Sequence, residues 1–233
     1  MKVAAIVAAA GAGLRMGKGA GGAGRKQYLE LEGIPVLARS LNLFLGYPAM
    51  EQVIAVIPAG EAETVRELLR PHCNLVKVLF VVGGAERQDS VRKGLELVDE
   101  SIDLVCVHDA ARPLASPALL ESLLQAASKE GAAVPVIALS DTVKEIDSNG
   151  YVAATPPRGK LRLVQTPQVF RRELISRAYG NAAERGVTAT DDSALVEELG
   201  QAVVTVEGEM SNLKLTTPRD LALAAMMLKE AGR

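Results

Sequence analysis

The sequence contains no tryptophan, aromatics make up only 3% of it, and it holds just two cysteines, Cys73 and Cys106. With so few rings, the core must be filled by Ala, Val, Leu and Ile, which a 48% apolar content supplies. Two lone cysteines exclude a disulfide framework and a cysteine-built zinc site, and they suit a reduced, cytoplasmic compartment. No basic run exceeds two residues, as at Arg171-Arg172, and the formal net charge is −2. Long-range steering toward nucleic acid is therefore not expected, and any cationic character is local. No apolar run reaches the ~20 residues of a membrane span. The stretch from Lys2 to Ala10 imitates a secretory leader, but it has one lysine and a short apolar run, and it flows straight into a glycine loop. It reads as a first strand.

What is present is alternation. Short apolar runs at Lys2–Ala8, Gln52–Ile57, Val78–Val82, Asp103–His108 and Ala132–Ile137 read as strands. Helical patterns near 35–46, 61–70, 86–98 and 116–128 separate them, and a closing helix follows Thr217-Pro218-Arg219-Asp220. Such a rhythm predicts an α/β fold with a mostly parallel sheet covered by helices on both faces. The 233 residues suit one domain, 1–233. Ser116-Pro117 predicts a capped helix start, with Leu119, Leu120, Leu123 and Leu124 as its apolar stripe. Between Asp141 and Pro167 the helical period is missing. There Asn149-Gly150 separates Val143–Ile146 from Tyr151–Ala153, which signals a hairpin. A lone hairpin is marginal in water, so this one either folds back on its own domain or reaches a second subunit.

In an open parallel sheet, ligands bind beyond the carboxyl ends of the strands. The first such end is the loop Ala9-Ala10-Gly11-Ala12-Gly13-Leu14-Arg15-Met16-Gly17, with Lys26 further on. It lacks the third glycine of a dinucleotide fingerprint, since Met16 stands there, and it lacks the spacing and hydroxyl of a P-loop. Bare backbone plus Arg15 and Lys26 indicates polyphosphate, or else a solvated surface loop. The third strand ends in Gly83-Gly84-Ala85-Glu86-Arg87-Gln88-Asp89-Ser90, which is also what a plain helix start looks like. The fourth ends in His108-Asp109-Ala110-Ala111-Arg112-Pro113. Asp109 suits a metal or sugar-hydroxyl contact, or an N-cap, whereas His108 reads as a packing residue. Arg158, Thr166 and Lys214 are isolated polar groups that spacing alone does not lift above solvated positions. Lys214 in particular, within Asn212-Leu213-Lys214-Leu215-Thr216, reads as a solvated strand residue.

Seven segments then occur in one order: Ala9-Ala10-Gly11-x-Gly13-x-Arg15-Met16, Lys26-Gln27-Tyr28-Leu29, Gly83-Gly84-Ala85-Glu86-Arg87-x-Asp89-Ser90-Val91, Val107-His108-Asp109-Ala110-Ala111-Arg112-Pro113, Asp141-Thr142-Val143-Lys144, Gln165-Thr166-Pro167-Gln168 and Asn212-Leu213-Lys214-Leu215-Thr216. Together they closely resemble the 2-C-methyl-D-erythritol 4-phosphate cytidylyltransferase family over essentially the whole chain. The resemblance implies a Rossmann-like nucleotidyltransferase fold, a homodimer joined by a β-arm at about 141–167, dependence on Mg²⁺, and CTP and methylerythritol phosphate as substrates. Nucleic acid and membrane are not expected as partners. By the same resemblance, Arg15 and Lys26 match the catalytic cations, and Ala9, Ala10, Gly11, Ala12 and Gly13 match the triphosphate loop. Gly83 and Ser90 match cytosine and ribose contacts. Asp109, Arg112, Thr142, Arg158, Thr166 and Lys214 match the acceptor site, with Asp109 also near the metal. The alternatives are a ribitol-5-phosphate cytidylyltransferase and a non-catalytic nucleotide-binding protein. Two departures stand out: the stretch from Met16 to Lys26 is longer and richer in glycine than the pattern, and Arg25 replaces the usual proline. Glycine raises the entropy cost of ordering, so residues 17–25 are expected to order only with CTP.

Overall fold

A computed structural model describes residues 1–11 and 25–230. The strands are β1 (Val3–Ala8), β2 (Glu30–Leu31), β3 (Ile34–Pro35), β4 (Met50–Ile57), β5 (Val78–Val82), β6 (Leu104–Asp109), β7 (Ala132–Ala138), β8 (Glu145–Ile146), β9 (Val152–Ala154), β10 (Arg162–Val164), β11 (Gln168–Arg171) and β12 (Val204–Glu207). The helices are α1 (Val36–Leu45), α2 (Ala62–Leu69), α3 (Arg87–Leu95), α4 (Pro117–Glu130), α5 (Arg172–Arg185), α6 (Asp192–Glu197) and α7 (Pro218–Glu230).

The main sheet runs β5-β4-β1-β6-β11-β7-β12, with β10 continuing the line of β11 along β7. Its pairs β1–β4, β1–β6, β4–β5 and β7–β12 are parallel, and only β10 and β11 run antiparallel. The parallel strands read from the sequence are present. The inserted antiparallel line, β12, α5 and α6 lie in stretches whose pattern gave no strand or helix signal. The helix expected to run to 98 ends at Leu95.

Strand β1 shows why the sheet is covered on both sides. Its side chains alternate between faces; Val3, Ala5 and Val7 enter one apolar cluster, and Ala4 and Ile6 the other. The first cluster is filled by α1, α2 and α4, the second by α3, α5 and α6. Helix α3 comes close enough that a Cβ on Gly94 would lie 2.7 Å from Ile6 Cγ2, so glycine there sets the approach. Helix α4 begins as expected: Ser116 Oγ accepts from Leu119 N at 3.0 Å, and Pro117 is the first helical residue. At α7, Thr217 N donates to Asp220 Oδ2 at 2.7 Å, the expected box. Helix α7 packs Ala224 and Leu228 against Leu31, Val36 and Leu215.

The hairpin between 141 and 167 forms as β8 and β9, a separate two-stranded sheet. Gly150 N bonds Asp147 O at 3.1 Å and only Gly150 takes positive φ, +86°. The turn is therefore a type I turn followed by a left-handed glycine, with Asn149 in ordinary backbone. Ile146 (56% exposed), Tyr151 (73%) and Val152 (58%) are large apolar side chains left open on it.

Candidate functional site

The carboxyl ends of β1, β5 and β6 open into a cleft of about 690 Å³. It is lined by Ala8–Gly11, Arg25–Gln27, Gly84–Arg87, Ser90, Asp109–Ala111, Lys214 and Thr216. The floor is the first loop. Buried Gln27 donates its amide to the carbonyls of Ala9 at 2.6 Å and Gly11 at 3.2 Å. In a planar trans peptide the N–H points opposite to the C=O, so the Ala10 N–H faces away from Gln27. Lys26, next to Gln27, reaches Leu215 O at 3.1 Å. Arg25 pairs with Glu61 at 2.9 Å, and Glu61 also accepts from Tyr28 at 2.8 Å. That ion pair gives the departure at Arg25 a structural reason.

The second wall is the turn from Gly83. A Cβ on Gly83 would lie 2.3 Å from Ala10 Cβ and 2.8 Å from Ser90 Oγ. Glycine is what lets the first and third strand ends touch. Ser90 is buried; its hydroxyl accepts from Gly84 N at 3.1 Å and donates to Glu86 O at 3.0 Å.

Asp109 stands at the end of β6, 8% exposed. Arg87 Nε is 2.8 Å from its Oδ1 and Lys214 Nζ 2.6 Å from its Oδ2. Burial would raise its pKa, but the Arg87 and Lys214 charges outweigh burial and hold the carboxyl well below the usual range. Beneath it, the Asp109 N–H donates to Thr166 Oγ1 at 3.0 Å. Thr166 Oγ1 also lies 3.1 Å from His108 Nδ1, and His108 Nε2 lies 3.1 Å from Arg112 O. A carbonyl only accepts, so Nε2 carries the proton and Thr166 donates to Nδ1. Burial pushes His108 down to about 4. Neutral, fully buried and edge-on to Phe44 at 5.4 Å, it packs as expected. Arg112 donates to Asn212 O at 2.6 Å.

The expected site residues thus divide. Ala9, Ala10, Gly11, Lys26, Ser90, Asp109 and Lys214 come together, with Gly83, Thr166 and Arg112 bonded or packed directly behind them. Thr142 and Arg158 do not line the cleft; they sit on the projecting segment, where Arg158 donates to Ser140 O. Ala12, Gly13, Arg15 and the expectation for residues 17–24 fall outside the described residues. One reading is corrected: Lys214 lies in an irregular loop held by Leu215 N to Ala111 O at 2.8 Å, and its ammonium is directed to Asp109 rather than to solvent. The alternation of Leu213, Lys214 and Leu215 arises from one-sided burial of a loop, which period alone does not separate from a strand.

Two residues were missed. Arg87 binds Asp109 and, with both terminal nitrogens, Asp192 at 3.2 and 2.7 Å. Fully buried Asp192 also accepts from Tyr179 at 2.5 Å. Arg87 belongs to the quoted motif and so was visible. Asp192 lies 105 positions away and resembles an ordinary first-turn acid.

A family model described as IspD, 2-C-methyl-D-erythritol 4-phosphate cytidylyltransferase, matches residues 3–230. A protein of that name from Syntrophus aciditrophicus (strain SB) is 41% identical over 100% of this chain and 98% of its own. Among solved structures, 4-diphosphocytidyl-2C-methyl-D-erythritol synthase from Anaerococcus prevotii DSM 20548 superposes with a TM-score of 0.85 at 32% identity, covering 98% of this chain and 96% of that one. The 2-C-methyl-D-erythritol 4-phosphate cytidylyltransferase of Thermus thermophilus gives 0.80 at 35% identity, covering 98% and 100%. The fold is the Rossmann-like nucleotidyltransferase fold of these structures.

Proposed function

The chain belongs to the 2-C-methyl-D-erythritol 4-phosphate cytidylyltransferase family, and from that premise we propose how its cleft performs the transfer. The enzyme moves CMP from CTP to 2-C-methyl-D-erythritol 4-phosphate, releasing pyrophosphate, in isoprenoid biosynthesis. The observation that carries the site assignment is the convergence of Lys26, Lys214 and the Gly83–Ser90 turn around Asp109. CTP would lay its triphosphate on Ala9–Gly13 beside Lys26 and Arg15, with base and ribose over Gly83 and Ser90. The acceptor would lie between Asp109, Arg112, Thr166 and Lys214.

An oxygen of the acceptor phosphate attacks the α-phosphorus in line. The new P–O bond forms as the bond to the β-phosphate oxygen breaks, and that electron pair leaves with pyrophosphate. The nucleophile is already ionised at neutral pH, so no general base is required. Catalysis is then positioning plus cationic stabilisation of charge on the equatorial and leaving oxygens. This explains a cleft furnished with Lys and Arg while His108 is buried and neutral.

Among the described residues, no cluster of three His, Cys, Asp or Glu could cage a metal ion, and both Asp109 oxygens already hold cations. That donor set suits Mg²⁺ carried on the triphosphate, with Asp109 supplying at most one carboxylate, the arrangement this ion favours at nucleotide sites. Mg²⁺ held there would offset charge on the departing pyrophosphate.

We also propose a single catalytic domain whose arm at 141–167 joins a homodimer, bringing Thr142 and Arg158 to the acceptor in the other subunit. The exposed Ile146, Tyr151 and Val152 on an otherwise marginal hairpin support this reading. In analytical ultracentrifugation, Ile146→Asp/Val152→Asp should sediment as a monomer where the parent is a dimer; a monomeric parent would remove the proposal. Among the described residues no helix is long and apolar enough to cross a membrane, and free Cys73 and Cys106 support a cytoplasmic location.

Pyrophosphate release from CTP–Mg²⁺, with methylerythritol phosphate and ribitol 5-phosphate in parallel, tests the function. Release with the first is expected. Preference for ribitol phosphate would reassign the acceptor, and silence with both would leave only a nucleotide-binding fold.

A further inference from the structure

The two cations on Asp109 are not equivalent. Lys214 is 38% exposed at its side chain, stands on a flexible stem in an irregular loop, and makes its contact to Asp109 Oδ2 alone among the described residues. Arg87 is held through all three of its guanidinium nitrogens. It opens α3, directly after the Gly83–Glu86 turn, and its guanidinium spans three bonds to two carboxylates. Asp192 has no exposure and takes a further bond from Tyr179. The neighbouring Gln88 clasps the same segment, donating to Val187 O at 3.0 Å and accepting from Ala189 N at 3.0 Å. Arg87 cannot swing away without stripping a buried charge of its partner. Lys214 can exchange Asp109 for a ligand anion while Arg87 still partners the carboxylate.

We propose that Arg87 is a positioning residue for acceptor recognition: anchored on Asp192, it locks Oδ1 of Asp109 so that Oδ2 faces the cleft when Lys214 moves to the acceptor's phosphate. A carboxylate pinned through one oxygen presents the other at a fixed direction to a polyol hydroxyl, which donates to it. Released from Lys214 without Arg87, the same carboxylate could rotate, and the hydroxyl would have to select among its orientations. The guanidinium fork is what allows simultaneous bonds to both carboxylates, and a lysine at this place reaches one of them at most. Because Arg87 begins the helix that follows the nucleotide turn, the lock also ties the acceptor side of the cleft to the nucleotide side. This inference rests on the reading of Asp109 as an acceptor contact.

The test compares Arg87→Lys, Asp109→Asn and the double variant by steady-state kinetics, varying each substrate, with a thermal melt as the folding control. Arg87→Lys should raise KM for methylerythritol phosphate roughly tenfold or more, the scale of one charged hydrogen bond, and leave KM for CTP within about twofold. In the Asp109→Asn background the same substitution should add no further loss, since its effect passes through that carboxylate. Should Arg87→Lys fail to fold, Asp192→Asn, which loosens Arg87 without removing it, carries the same expectation. An unchanged acceptor KM in folded Arg87→Lys, or an equal loss in the Asp109→Asn background, overturns the role. If instead Asp109→Asn itself leaves acceptor KM unchanged, the reading of Asp109 has failed, and the inference with it.

Discussion

Replacing Lys26 with Ala should lower the rate of pyrophosphate release by at least roughly 10²–10³-fold, the usual cost of removing one preorganised donor from a charge-stabilising site. The local fold should survive. Lys26 opens a short 3₁₀ turn, Lys26–Tyr28, whose anchors are its neighbours: Gln27 on the carbonyls of Ala9 and Gly11, and Tyr28 on Glu61. The substitution removes the bond to Leu215 O and a fixed charge beside the backbone that would receive the triphosphate. A bond such as that to Leu215 O contributes about 1 kcal/mol to stability, far less than the catalytic loss. A melting curve and a saturating turnover assay on the same sample separate the two effects. Turnover within a few-fold of the parent would remove Lys26 from the catalytic set. Lys26→Arg should recover part of the rate, since it keeps the charge and changes its position.

Asp192→Ala should be the most destabilising of the polar substitutions around the cleft. It deletes both bonds from Arg87 and the acceptor for Tyr179 at a carboxylate that has no exposure of its own. Removing one partner of a buried pair typically costs about 3–5 kcal/mol, because the other charge stays buried without compensation. Asp109 still faces Arg87, which favours the lower half of that range. For a chain of this size each kcal/mol moves the melting temperature by about 2–4 °C, so a fall of roughly 6–16 °C is expected in a calorimetric scan. Burial raises the pKa of the Tyr179 hydroxyl and the adjacent Asp192 charge adds to that, so the hydroxyl remains a donor, and Tyr179→Phe should cost distinctly less. A shift below about 2 °C for Asp192→Ala would show that the pair is energetically idle.

These two predictions divide along what local sequence can reveal. Strands β1, β4, β5, β6 and β7 were legible because buried parallel strands are short apolar runs, and α4 and α7 because Ser116-Pro117 and Thr217-Pro218 mark their starts. Lys26 and Asp109 stood out as charges at strand ends. The β10–β11 line was not legible, since nothing in Arg162–Arg171 states that it inserts between β6 and β7. Arg87 and Asp192 form a pair only through the fold, which packs α3 and α6 against the same face of the sheet. Lys214 was misread because burying Leu215 beside Leu31 and Ala224 imposes an alternation on an irregular loop. Of the roles assigned by resemblance, those at Thr142 and Arg158 have no counterpart in the cleft of the single chain, and only the proposed homodimer would bring them to it.

A structure of the protein soaked with CTP and Mg²⁺ would address both walls of the cleft together. The triphosphate should lie along Ala9–Gly11 beside Lys26, with cytosine over the Gly83–Ser90 turn and Asp109 facing the open acceptor side. Nucleotide bound instead in the cleft at the opposite end of the sheet, among Arg171, Arg172 and Arg177, with Ala9–Gly11 bare, would contradict the assignment.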